Sequence, residues 1–221
     1  MIRFVVLLTT SVLLVAACGT LGTVQLPTIV GQHFDGAGDA IGPAIVRDVL
    51  RIETRRIDNP PYGSYDTLEA EIVFTAVVTL PPPGSGPDVG GAQLAFNVGF
   101  DTDKNPATGG AMDCGAQGST PGLDFLVLGQ GGGAPADRLV NGNYNVINAS
   151  WVVTGEATVS VYGSTLTVTT PLSAMGSDDG ATHLMVFAGN RNGGWVNVND
   201  CAPNPAGGII TRTGVSHGFR Q

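Results

Sequence analysis

From His33 onward the chain is dominated by apolar residues that recur at every second position. Ile72, Phe74, Ala76, Val78 and Leu80 alternate with Glu71, Val73, Thr75, Val77 and Thr79. Leu94, Phe96, Val98 and Phe100 alternate with Ala95, Asn97 and Gly99. Val159 and Val161 alternate with Thr158, Ser160 and Tyr162, and Leu166 and Val168 with Thr165, Thr167 and Thr169. A period of two sends successive side chains to opposite faces, the pattern of a strand with one face buried and one in water. β-Branched and aromatic residues suit that pleated surface. Pro60-Pro61 and the Gly/Pro-dense stretches 81–91, 129–135 and 189–194 read as connections. Tyr162-Gly163-Ser164-Thr165 fits a tight hairpin with Gly163 first in a two-residue turn. After residue 18 no segment holds a helical period over several turns; residues 46–50 come nearest, and Arg51-Ile52-Glu53-Thr54 continues as an alternating strand. About nine or ten strands separated by turn signals predict two packed antiparallel sheets, an all-β sandwich of jelly-roll type. A single domain over residues 33–214 with a tail at 215–221 accounts for the pattern. The stretch 81–91 reads as a long hairpin loop, because neither flank alone has enough strands for its own core.

The N-terminus has a different character. Arg3 precedes an apolar stretch, residues 4–14, which is short for a membrane span. It ends in Val15-Ala16-Ala17-Cys18, a small-residue cleavage site closed by cysteine. This run resembles the lipobox of bacterial lipoproteins, with valine where leucine is commonest. The resemblance implies that residues 1–17 are removed as a signal peptide, that the Cys18 thiol takes a diacylglycerol, and that the new N-terminus is acylated. Residues 18–32, without a clear period, then act as a tether that could add an edge strand at its end. Gly19 follows the cysteine, which implies outer-membrane sorting if the host has two membranes. The expected address is therefore the cell envelope, held at a membrane by lipid.

Ten basic residues face eighteen acidic ones, a formal net charge of −8, and a cleaved leader would remove one more cation, Arg3. An acidic chain is not drawn to nucleic acid or anionic lipid by electrostatics. It does suit divalent cations, or simply solubility. With Cys18 consumed by lipid, Cys114 and Cys201 remain as an even pair. In an oxidising compartment they are expected to form a disulfide. Closing a loop of that length stabilises a fold by roughly 4 kcal/mol in the chain-entropy model.

The chemically loaded segment is Phe100-Asp101-Thr102-Asp103-Lys104-Asn105-Pro106-Ala107-Thr108-Gly109-Gly110. Asp101, Asp103 and Asn105 alternate directly after a strand, and in a tight loop that spacing can aim several oxygens at one point. Hard cations such as Ca²⁺ take six to eight oxygen ligands. The opening is similar to half an EF-hand loop, but Pro106 and Met112 stand where that motif needs glycine and a bidentate glutamate. The alternative is an Asx-rich turn with solvated carboxylates. Downstream lies Gly122-Leu123-Asp124-Phe125-Leu126-Val127; upstream lie Asp35-Gly36-Ala37-Gly38-Asp39-Ala40 and Asp48-Val49-Leu50. Together these segments resemble the DOMON-like and family 9 carbohydrate-binding-module superfamily of exported sandwich domains. The specific part of the likeness is confined to about twenty-five residues. It implies a structural Ca²⁺ held near Asp101, Asp103, Asn105, Thr108 and Asp124, with Asp39 and Asp48 as weaker matches and Asp113 simply nearby. Phe125 departs from the commoner tyrosine, and Met112-Asp113-Cys114 departs from the pattern.

Other chemistries find no support. His33, His183 and His217 have no ligand spacing, and no G-x-S-x-G or H-E-x-x-H occurs. Glu53, Glu69, Glu71 and Glu156 offer carboxylates, but no spacing selects a glycosidase pair. Trp151, Trp195, Tyr62, Tyr65 and Tyr144 could stack on sugar rings or could pack in the core, with Trp195 and Trp151 the best candidates for ligand stacking. The expectation is a non-enzymatic, lipid-anchored surface binding module with carbohydrate or another extracellular polymer as ligand. The alternative is a structural or envelope-assembly lipoprotein with no small ligand. An exposed aromatic row across one sheet would favour the first, and a polar sheet face with an apolar edge patch the second.

Overall fold

The computed structural model describes residues 28–38, 40, 48–58, 65–84, 93–114, 117–129, 139–178, 182–192 and 195–203. Residues 1–17 expected as a leader, Cys18, most of the segment expected as a tether, Asp39, Tyr62 and residues 215–221 lie outside these residues. The described residues form twelve strands: β1 Thr28–Phe34, β2 Val49–Asp58, β3 Tyr65–Phe74, β4 Ala95–Asp101, β5 Gly110–Asp113, β6 Ser119–Leu123, β7 Phe125–Leu128, β8 Tyr144–Asn148, β9 Val153–Tyr162, β10 Thr165–Pro171, β11 His183–Asn192 and β12 Trp195–Ala202. Ten of them make one curled antiparallel sheet in the order β1-β2-β3-β10-β9-β8-β7-β4-β11-β12, and β5 and β6 make a small second sheet. The fold is all-β, with a sandwich core.

One strand explains how a single sheet makes two layers. The C-terminal half of β9, from Thr158 to Tyr162, pairs with β10. Its N-terminal half, from Val153 to Ala157, pairs with β8. β9 therefore belongs to both layers. The first layer is β1, β2, β3 and β10; the second is β8, β7, β4, β11 and β12. Ile52, Leu68, Ile72, Phe74, Leu166 and Val168 point inward from the first layer and meet Phe96, Val98, Phe100, Val127, Tyr144 and Val186 from the second. Burying one such side chain fully contributes roughly 1.5–3 kcal/mol relative to leaving it in water. At the far edge Asp200 of β12 accepts a hydrogen bond from the Val49 backbone N–H at 2.6 Å, so β12 meets the start of β2.

The alternation that predicts strands is observed in β10, where burial alternates along its length. The hairpin turn falls at Gly163-Ser164, with Gly163 at φ 61°. β1 begins at Thr28 and is an edge strand of the sheet, the strand that the end of the tether segment could add. Two boundaries differ from expectation. The strand expected to run to Leu80 ends at Phe74: Thr75 donates to the Asp48 carbonyl and Val78 to the Gly163 carbonyl, which turns the chain across the end of the layer. The stretch from Gly189 to Asn192, read as a Gly-rich connection, is strand, because a register shift between Ala188 and Gly189 lets β11 continue along β12.

The β5–β6 hairpin lies over the outer face of the second layer. Leu126, Ile147, Met185 and Phe187 on that face pack with Leu123 and Cys114 in a second apolar cluster. Cys114 and Cys201 are joined, Sγ to Sγ, across 87 positions of chain. Beside the bond, Gln117 accepts the Cys201 backbone N–H through Oε1 at 2.9 Å. β4 is consequently buried at every residue.

Candidate metal centre

Asp101 closes β4, and Asp124 stands between β6 and β7. The chain leaves the sheet at the first and returns at the second. Asp124 donates its backbone N–H to the Phe100 carbonyl at 2.8 Å, which holds the two points side by side. Carboxylate oxygens of Asp101, Asp103 and Asp124 lie within 4.8 Å of one another. Three carboxylates that close repel one another when all are ionised.

The loop between them is built from its own side chains. Asp124 Oδ2 accepts from the Thr102 N–H and hydroxyl, both at 2.9 Å, and from the Asp103 N–H at 3.3 Å. The Asn105 N–H reaches Asp103 Oδ1 at 2.8 Å and Asp101 Oδ1 at 3.2 Å. Asn105 Oδ1 accepts from the Ala107 N–H at 3.1 Å, and the Thr108 hydroxyl donates toward Asp103 Oδ2 at 2.7 Å and the Asn105 carbonyl at 2.9 Å. Lys104 adopts φ 59°, the left-handed conformation that the tight reversal demands. Two glycines let the loop seat. A Cβ on Gly109 would lie 2.6 Å from the Leu123 carbonyl oxygen, and one on Gly122 would lie 2.8 Å from the Pro106 α-carbon.

Of the five sequence-predicted ligands, Asp101, Asp103 and Asp124 are the ones whose carboxylates converge. Asn105 and Thr108 are in the same loop, with their side-chain oxygens engaged in holding it. Asp48 is elsewhere: it is buried near the start of β2 and accepts the Gly38 N–H at 2.7 Å. Asp113 is exposed on β5.

Electrostatics separate the two loop carboxylates. Burial pushes Asp101 above the usual carboxylate range, opposed by the facing His183 and by the Lys104 and Asn105 N–H groups. Asp103, in solvent, is held below that range by the Thr108 hydroxyl and the Asn105 N–H. His183, the first residue of β11, sits opposite Asp101 with Nδ1 3.5 Å from Oδ2. Sequence spacing did not connect these two; only the β4–β11 register does. A set of three hard carboxylate oxygens on a preformed loop fits a hard cation such as Ca²⁺ or Mg²⁺ and suits thiophilic metals poorly.

No protein-family model matches this chain, and no curated protein sequence is significantly similar to it.

The remaining candidates disperse. Tyr144 is fully buried, its ring 5.3 Å from that of Phe96. Trp151 is 58% exposed, on the turn between β8 and β9 that is tied to the Asp124 carbonyl through the Ala149 N–H. Trp195 pairs with Asn192, at the end of β11 opposite to His183 and Asp101. The length of β11 thus separates the two tryptophans, about 30 Å at strand rise. Glu53, Glu69 and Glu71 share the outer face of the first layer with Arg51 and Arg55, which ion-pair with them. Glu156 accepts from the Asn141 and Asn143 side chains.

Proposed function

We propose that this chain is an exported, lipid-anchored, non-enzymatic β-sandwich that carries a structural Ca²⁺ and serves as a surface binding module for carbohydrate or another extracellular polymer. The observation that carries the metal part is the convergence of the Asp101, Asp103 and Asp124 carboxylates within 4.8 Å on a loop fixed by its own hydrogen bonds. A cation there would relieve their mutual repulsion and fasten the points where the chain leaves and rejoins the sheet. The envelope address rests on the lipobox-like Val15-Ala16-Ala17-Cys18 alone, and the polymer ligand on the family resemblance alone.

Calcium bound only by the folded state at a hundredfold excess over Kd adds about 2.7 kcal/mol. Chelator should therefore lower Tm by roughly 5–10 °C, and Ca²⁺ should restore it better than Mg²⁺. Asp101→Ala or Asp103→Ala should remove the difference. Unchanged melting, with no heat of Ca²⁺ binding at millimolar concentration, would leave the loop as an ordinary Asx turn. For the address, Cys18→Ser should release the protein from the membrane fraction.

A second reading, a structural envelope lipoprotein without a small ligand, draws support from the first layer. Its outer face is charged and hydroxyl-bearing, and the edge strand β1 exposes Ile29 and Phe34. A glycan array probed with and without Ca²⁺ separates the readings: binding to no glycan in either condition favours the structural one.

A further inference from the structure

The chain between Asp101 and Asp124 is an excursion from the second layer, described throughout except at residues 115 and 116. It is fastened at its base and again near its tip, where Gln117 also accepts the Cys201 backbone N–H at 2.9 Å. At its base Asp124 Oδ2 takes three donors, from Thr102 and Asp103. Near its tip Cys114 is bonded to Cys201 of β12. Between these points the β5–β6 hairpin covers Leu126, Ile147, Met185 and Phe187. Near the base a cavity of about 20 Å³ lies between Asp101, His183 and Met185 on the layer and Thr120, Pro121 and Leu123 on the hairpin. Cys114 and Cys201 are 2% and 0% exposed, so an attacking thiolate cannot reach either sulfur while the hairpin is closed.

We propose that this excursion opens as one flap, and that its carboxylate base governs the access of a dithiol reductant to the disulfide at its tip. In the open state the reductant's thiolate attacks one sulfur, forming a mixed disulfide and releasing the other cysteine as a thiolate. The reductant's second thiol then closes its own ring disulfide and frees the first cysteine. Two electrons pass to the protein, and each cysteine ends as a protonated thiol. With the disulfide gone, the base, the Gln117–Cys201 hydrogen bond and the apolar contacts are what hold the flap among the described residues, so reduction raises the open population and bares the face beneath.

The test follows reduction by dithiothreitol, with alkylation and mass spectrometry of Cys114 and Cys201, in chelator throughout so that the result does not depend on any cation. Asp124→Ala removes the charged acceptor of the base and should speed reduction about tenfold, the shift expected for loss of hydrogen bonds to a charged group. Arg55→Ala, which perturbs the far layer, should leave the rate unchanged. Equal acceleration by both variants would mean that global unfolding is the route, and no acceleration by Asp124→Ala would mean that the base does not govern access; either overturns the proposal. Hydrogen exchange on the wild type needs no variant. Reduction should expose the amides of β5 and β6 and raise binding of an apolar dye while β3 and β10 keep their protection; uniform loss across both layers, or none in the hairpin, overturns it as well.

Discussion

The two layers of this sandwich face the same core but treat their outer faces in opposite ways. The first layer leaves its outer face in water and covers it with lateral rows of polar side chains. One row runs Gln32, Glu53, Glu71, Thr167, Ser160 across five strands. The next runs Arg55, Glu69, Thr169, Thr158. Arginine and glutamate pair across the rows, and Gln32 donates to Glu53 at 3.0 Å. The second layer has no such face at its centre. The hairpin and the disulfide cover it, and Met185 and Phe187 are as buried as the residues on the core side. A wet face is held by networks that tolerate water; a covered one needs a fastening that keeps the cover in place.

The largest expected effect concerns that fastening. The double variant Cys114→Ser/Cys201→Ser should lose roughly 4 kcal/mol and about 10 °C in Tm, measured by thermal unfolding without reductant. If the loss is slight, the cover seats by packing alone and the contrast between the layers weakens. Next comes the root of the cover. Gly109→Ala combines φ 69° with a backbone oxygen 2.6 Å from the new Cβ. It should cost about 2 kcal/mol or more in urea unfolding. Gly163→Ala, at φ 61° in the first layer's open hairpin with nothing within 4 Å, should cost less. Arg55→Ala takes partners from Glu53, whose side chain is only 6% exposed. A loss of about 1–2 kcal/mol is expected, reduced by the remaining Arg51 contact and by solvent screening. The smallest effect is Glu156, held below its ordinary range by the Asn143 and Asn141 amides. A depressed carboxylate contributes stability above its unfolded value of 4.5 and loses it as pH falls through its folded value. Glu156→Gln should flatten the acid limb of the urea midpoint measured against pH, leaving the limb above neutrality alone.

The same contrast explains what could be read in advance. Leu166 and Val168 alternate with threonines because water lies on one side of β10, and sequence period and burial agree there. β4 alternates just as clearly in sequence, yet Asn97 and Gly99 are buried. Gly99 occupies a position that looks solvent-facing, but a Cβ there would meet Leu123 of the hairpin at 2.9 Å. Local periodicity reports side-chain character and cannot report a cover supplied from elsewhere in the chain. For the site, the spacing of Asp101 and Asp103 was legible, because both lie in one loop. Their proximity to Asp124 came only from the family resemblance. His183 could not be placed beside Asp101 by any local signal, since a register between distant strands brings them together. The two tryptophans were grouped by residue type, and β11 sets them at opposite ends.

The place of β9 bears on how such a chain acquires its structure in time. β3 finds its second neighbour, β10, only after six further strands have been made. β4 waits for β11 in the same way. A polypeptide delivered from its N-terminus thus presents β1, β2 and β3 as a ribbon with an unpaired edge and an uncovered apolar face. Neither layer can close before β9 has arrived to join them, so assembly is committed late and depends on contacts distant in sequence. Chains of that kind fold slowly and are vulnerable to edge-to-edge association while they wait. A helper that shields the β3 edge until the last third of the chain arrives would raise the yield of folded protein without changing its final stability.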